Sequence, residues 1–256
     1  MKLRLFVSVI FGILLFGCSQ TAMPTDAPVL ATQAAPVTLT PIITNVPATS
    51  TPRPTATKIP TATEIVPGAV LFEEDFEDGK ADNFVYISDG WIVNTEDNGN
   101  KIFEINTNTE TAIKNDEGGG IGFGSNHWTN YSAEYRVKML NLKANSWLSF
   151  RSATGGNQDY YVEWLSAEWD AIVLSFSRSS KPWETIKSLD LPVWDERWYQ
   201  VKVEAQGSAL RVYLDDTLMM QVEDLRITSG GFNLGVMPGT HAQFDDIRVT
   251  ALGDSP

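Results

Sequence analysis

Between Tyr131 and Met139 the chain alternates without a break. Tyr131, Ala133, Tyr135, Val137 and Met139 fall on one parity; Ser132, Glu134, Arg136 and Lys138 fall on the other. Side chains of an extended strand point to opposite faces with a period of two, so this segment has one face on a core and one in water. The same pattern recurs where Tyr199, Val201, Val203 and Ala205 alternate with Gln200, Lys202 and Glu204. Leu210, Val212 and Leu214 alternate with Arg211 and Tyr213, and Asp215-Asp216-Thr217 then turns the chain into residues 218–222, which reads as a hairpin. Further strands are predicted over 71–76, 91–94, 101–105, 147–151, 160–165, 172–177, 232–236 and 244–249. No twelve-residue stretch shows helical periodicity. The glycine runs, Gly118-Gly119-Gly120, Gly155-Gly156 and Gly230-Gly231, read as joints between strands.

Many short strands separated by turn signals predict an all-β domain, an antiparallel two-sheet sandwich. Residues 70–252 are enough for the larger, jelly-roll form of it. One irregularity is expected near the end. Phe244 lies on even parity but Ile247 and Val249 on odd, so the phase changes at Asp245-Asp246, where a bulge would absorb one residue and re-aim both carboxylates.

The chain ahead of this domain is of another kind. Nine of the 13 prolines lie between Pro24 and Pro67, whereas all eight tryptophans lie from Trp91 onward. Residues 18–68 are mostly Thr, Pro and Ala without an aromatic residue, and bury too little apolar surface to offset their ordering entropy. Proline favours extended conformations, so the expectation is a disordered spacer with a reach of up to ~3.1 Å per residue. A Thr-rich ligand or glycosylated stalk is the other reading of such a composition. Residues 1–17 carry Lys2 and Arg4, then an apolar run to Phe16 and a small Gly17, the pattern of a secretory signal. The single cysteine, Cys18, follows at once. This junction resembles the lipobox of bacterial lipoproteins, which implies cleavage before Cys18, lipidation of its thiol, and display on the cell envelope with the membrane contacted through the lipid alone.

Charge narrows the partners. The leader adds two positive charges and the spacer's charges cancel, so the −13 of the whole chain leaves −15 on the remainder. An acidic domain is a poor ligand for nucleic acid or anionic lipid.

Three stretches in order carry a resemblance. They are Phe72-Glu73-Glu74-Asp75-Phe76-Glu77-Asp78-Gly79; Trp198-Tyr199-Gln200-Val201-Lys202-Val203-Glu204 with Arg211-Val212-Tyr213-Leu214-Asp215; and Phe244-Asp245-Asp246-Ile247-Arg248-Val249. Together they resemble the concanavalin A-like, laminin-G-like jelly-roll superfamily of bacterial extracellular proteins. The resemblance implies a curved sheet with a poly- or oligosaccharide on its concave face, lined here by residues 147–151, 160–165 and 172–177. Aromatic faces cover the apolar side of a sugar ring, and fixed polar groups meet its hydroxyls. The residues expected in those roles are Tyr161, Trp164, Trp128, Trp169 and Trp183 as platforms, with Arg151 and Glu163 as polar groups. The resemblance also implies a structural calcium held by Asp75, Asp78, Asp245 and Asp246, whose oxygens suit that ion.

Catalytic signals are thin. His127 and His241 have no Gly-x-Ser-x-Gly elbow beside them. Glu163 and Glu168 have the outer spacing of the Glu-x-Asp-x-x-Glu arrangement of jelly-roll glucanases, but Leu165 stands where its Asp would be. The expectation is a lectin-like or adhesion module. A glycosidase on the same fold, or an envelope protein-interaction domain, are the alternatives.

Overall fold

The computed structural model describes residues 66–152, 159–178 and 181–254. The leader, Cys18, nearly all of the spacer and Gly155-Gly156 lie outside the described residues. The elements begin with strands β1 (Val70–Glu74), β2 (Tyr86–Ile87), β3 (Trp91–Thr95) and β4 (Lys101–Asn106), then a short helix α1 (Glu110–Asn115). Strands β5 (Gly119–Phe123), β6 (Tyr131–Met139), β7 (Asn145–Ser152), β8 (Tyr160–Ser166), β9 (Ala171–Arg178) and β10 (Lys181–Asp190) follow. The chain closes with β11 (Trp198–Gln206), β12 (Ala209–Leu214), β13 (Thr217–Glu223), β14 (Gly231–Val236) and β15 (His241–Ala251).

They form two antiparallel sheets. The first has the order β13-β12-β11-β6-β15-β4-β3, with β1 added to β15; the second runs β10-β9-β8-β7-β14-β5-β2. The alternating strands pack as their sequence dictates. Every odd residue of β6, from Tyr131 to Met139, is buried, and every even one is partly exposed. Tyr135, Val137, Val201, Val203 and Val212 of the first sheet meet Leu148, Phe150, Leu174, Phe176 and Leu234 of the second in one core. Each such side chain, removed from water, stabilises the sandwich by ~1.5–3 kcal/mol.

Two local expectations hold. Leu214 pairs with Thr217, and Asp215 and Asp216 between them both have positive φ, 49° and 61°, as a two-residue hairpin turn of the twisted type requires. The β15–β6 register shifts between Asp245 and Arg248, with Asp246 at φ 50°.

Four elements depart from the sequence reading. The triplet Gly118-Gly119-Gly120 is not a joint: it leads into and begins β5. Gly231 likewise begins β14 rather than ending a loop. Strand β10 is mostly exposed along its length and so shows no alternation. Helix α1 is too short for periodicity; Thr109 caps its start, its Oγ1 accepting from the Ala112 N–H at 3.1 Å.

Both ends of the domain lie at one pole of the sandwich. The Gly68 N–H donates to the Ala251 carbonyl, and Ala251 pairs with Tyr131 at the start of β6. Tyr131 in turn accepts from the Arg151 N–H at the end of β7. The opposite pole holds Met139, Asn145, Val236 and Gly119.

Candidate functional site

A groove of about 480 Å³ crosses the outer face of the second sheet, toward the pole opposite the domain's ends. Strand pairing sets its apolar side. Trp147 on β7 stands directly across from Trp164 on β8, with ring centroids 6.3 Å apart. Trp183 from β10 leans over Trp164 at 4.6 Å, and Trp169, at the β8–β9 turn, approaches it at 5.8 Å. Trp164 is buried beneath them, whereas Trp169 and Trp183 are each 46% exposed. Val162, Val236, Met237 and Pro238 complete the apolar lining.

The opposite side is made by glycine. A Cβ on Gly235 would sit 2.4 Å from Cζ2 of Trp147, and one on Gly122 would sit 2.3 Å from Cε1 of Tyr86. Only a residue without a side chain lets these rings lie down on neighbouring strands, which is why glycine occupies strand interiors it otherwise weakens. The Tyr86 hydroxyl donates to Asn233 Oδ1 at 2.9 Å, and Asn233 Nδ2 donates to Ser149 Oγ and Ser152 Oγ. Burial, and then the nearby Tyr160, raise the Tyr86 phenol above its ordinary pKa, so it stays protonated. Ser88 accepts from the Gly120 N–H, and Asp116, in the left-handed conformation that ends α1, borders the same space.

Of the residues expected in such a site, the structure brings together Trp164, Trp169 and Trp183. Trp128 is elsewhere: it is half-buried near the domain's ends, 6.3 Å from Phe232, beside a separate cavity that includes Pro67 and Leu252. Three others point inward and present nothing to the groove. Tyr161 is a core residue stacked on Phe150 at 5.5 Å; its hydroxyl donates to Asp224, and burial pushes its pKa up to about 12.

Arg151 breaks the alternation that would have turned it outward. It has φ 50° and lies where the β14–β7 register shifts, so its side chain turns under the sheet. There its guanidinium donates to the carbonyls of Ile227 (2.9 Å), Gly207 (2.7 Å) and Thr129 (3.3 Å). It is a clamp on three loops at the pole of the domain's ends, and its desolvation lowers its pKa.

Glu163 lies on the inner face of β8, fully buried between the sheets. Its Oε2 accepts from the Tyr135 hydroxyl, while its Oε1 has no protein partner, and burial raises its pKa to about 8. Tyr161 and Leu165, two residues to either side, share its inward face.

The four carboxylates expected to hold calcium do not converge. Asp75 accepts from the Glu77 N–H and Asp78 from the Lys80 N–H, each closing its own turn. At the bulge, Asp245 is buried and accepts from Asn100 Nδ2 at 3.0 Å, while Asp246 turns out to Arg136 at 3.0 Å. Asp75 and Asp246 border a shared cleft, but Arg136 and Arg248 stand in it as well. Among the described residues no three His, Cys, Asp or Glu side chains are grouped to hold a metal ion.

Sequence reasoning missed Tyr86, Tyr160, Asp116 and the glycine floor. The alternation Gly120-Ile121-Gly122-Phe123 was the available signal, with small residues outward and large ones inward.

No known family model matches the chain. The levanase of Bacillus subtilis (strain 168) is 27% identical over 110 residues, which are 43% of this chain and 16% of that protein; the chain thus matches only a small part of its curated relative. Among solved structures, the carbohydrate-binding module CBM66 from Bacillus subtilis superposes with a TM-score of 0.51 at 19% identity, over 66% of this chain and 94% of that one. The fold is a concanavalin A-like jelly roll. Domain 4 of AbnA, an extracellular arabinanase of family GH43 from Geobacillus stearothermophilus, solved with arabinotriose, also shares it (TM-score 0.51, 13% identity, 75% of this chain and 96% of that one). At these identities the likeness is one of architecture: two sheets face to face, with the outer face of the seven-stranded one available for a groove.

Proposed function

We propose that this jelly roll is a carbohydrate-binding module that docks glycan in the groove over Trp147, Trp164 and Trp183. The convergence of three indoles from three strands carries the reading: Trp147 and Trp183 border the groove and rest on the buried Trp164. Large exposed aromatic patches on a soluble domain mark a binding surface, and flat rings at a rigid sheet suit the apolar face of a sugar. The carbohydrate-binding module among the solved relatives, and the module bound to arabinotriose, support it by analogy of fold. Binding is favoured over cleavage because glycoside hydrolysis uses a pair of carboxylates, and Asp116 is the one carboxylate among the described lining residues.

The leader and Cys18 add a setting: a lipid-anchored protein of the cell envelope, with the Thr/Pro-rich spacer giving the domain its reach. The test of binding is retention of the full chain in native gels containing levan, arabinan or laminarin. Retardation by at least one of them, lost in Trp183→Ala, is expected. Unretarded migration in all three would overturn the proposal. Cys18→Ser should release the protein from the membrane fraction, and its continued retention there would overturn the anchor.

A further inference from the structure

The groove is apolar in its walls and carries a single ionised group. Its lining comprises indoles, phenols, glycines, aliphatic side chains and one serine; Asp116 is the one charged residue among the described ones. That carboxylate is exposed and makes no protein hydrogen bond, while the Asp116 backbone N–H is engaged by the carbonyls of Ala112 and Ile113. Of the side-chain acceptors at the lining, the hydroxyls of Tyr86, Ser88 and Tyr160 and the carboxylate of Asp116, the Tyr86 hydroxyl donates to Asn233, Ser88 Oγ accepts from the Gly120 N–H, and the carboxylate alone is charged. The strongest acceptor at the border is therefore an anion.

From this we infer that the groove selects an uncharged glycan, with the apolar face of a sugar ring on the Trp147–Trp164–Trp183 surface and adjacent hydroxyls donating to Asp116. This rests on the carbohydrate-binding reading and specifies its ligand class. A carboxylate has two oxygens and accepts from two neighbouring hydroxyls at once, a charge-assisted pair stronger than neutral hydrogen bonds. The same charge repels uronate or sulfate groups. No arginine or lysine is present among the described lining residues to compensate, and the domain's negative charge opposes the approach of a polyanion.

The experiment compares the full chain and Asp116→Asn by titration calorimetry at low and high salt. The probes are the neutral polysaccharides levan, arabinan and laminarin, and the polyuronates alginate and polygalacturonate. Asparagine tolerates the left-handed backbone at this position, and an unchanged Tm would verify that the variant folds. Expected is binding of at least one neutral polymer with an affinity indifferent to salt, no binding of the polyuronates, and a loss of ~10-fold or more in Asp116→Asn, the size of one hydrogen bond to a charged group. Binding of polyuronates as tight as that of neutral polymers would overturn the inference and leave the carbohydrate-binding reading standing. So would an affinity for the neutral polymer unchanged by Asp116→Asn. Absence of binding to all five would overturn both.

Discussion

The phenol of Tyr135 reaches across the interior of the sandwich and donates to the carboxylate of Glu163 at 3.1 Å, tying the first sheet to the second. The bond is set in a hydrophobic core, and Glu163 Oε1 and the nearby buried Ser146 Oγ are left without protein partners. Desolvation is the main cause that raises the Glu163 pKa from its ordinary 4.5 to about 8. Between those values the folded protein holds a proton that the unfolded chain has lost. Raising the pH through that window therefore favours unfolding, and the effect levels off above about 8. Thermal melts from pH 5 to 9 should show Tm falling across this range by more than in Glu163→Gln, which keeps the neutral shape. Parallel curves for the two proteins would refute the assignment.

Arg151 is expected to matter for stability and not for the ligand surface. Arg151→Ala removes the charged donor of three part-buried hydrogen bonds to loop carbonyls, each worth ~1.5–3 kcal/mol. A loss of ~3 kcal/mol or more in urea denaturation follows, with ligand affinity of the folded fraction unchanged. A stable variant with weakened binding would place this residue in the site after all.

Trp183 and Trp164 should separate binding from folding. Trp183 is 46% exposed, so Trp183→Ala is expected to cost little stability and at least tenfold in affinity. Trp164 is 2% exposed and supports the rings above it, so Trp164→Ala should cost ~3–5 kcal/mol as well as binding. Equal melting temperatures for the two variants would contradict this layering.

Gly235→Ala tests the floor. The added methyl carbon would lie 2.4 Å from the Gly119 carbonyl oxygen and 2.4 Å from the Trp147 ring. Backbone cannot retreat as a flexible side chain does, so a loss of ~1–3 kcal/mol is expected, with a change in near-ultraviolet circular dichroism as Trp147 moves. A wild-type spectrum and Tm would show the strands to be more yielding than their contacts indicate.

Chelation should leave the melting temperature where it is. The carboxylates of Asp75, Asp78, Asp245 and Asp246 are engaged with backbone N–H groups, Asn100 and Arg136 rather than with one another. A Tm lowered by EDTA and restored by calcium would reveal a site assembled differently.

What was legible in the sequence follows from what periodicity can report. Strands β6 and β11 alternate because one face is wet, and the bulge at Asp246 declares itself as a change of phase. The Asp215-Asp216 turn was readable for a similar reason, since aspartate tolerates positive φ. Tyr161 and Glu163 were obscured because β8 is buried on both faces, so polarity no longer distinguishes in from out. Arg151 was misplaced because a local backbone twist, invisible to a count of residues, reversed its direction. Glycine in β5 was misread as a turn because its use there, close approach of a ring from another strand, is set by tertiary contact alone.

The shared pole of the two ends of the domain has a mechanical meaning. Strand β1 starts at that pole, beside Thr250, and runs along β15 to Glu74 opposite Ile247. A pull applied at Pro67 against a ligand held in the groove at the far pole would draw β1 lengthwise along β15. Its ladder of hydrogen bonds would then be loaded together, in shear, rather than peeled one at a time.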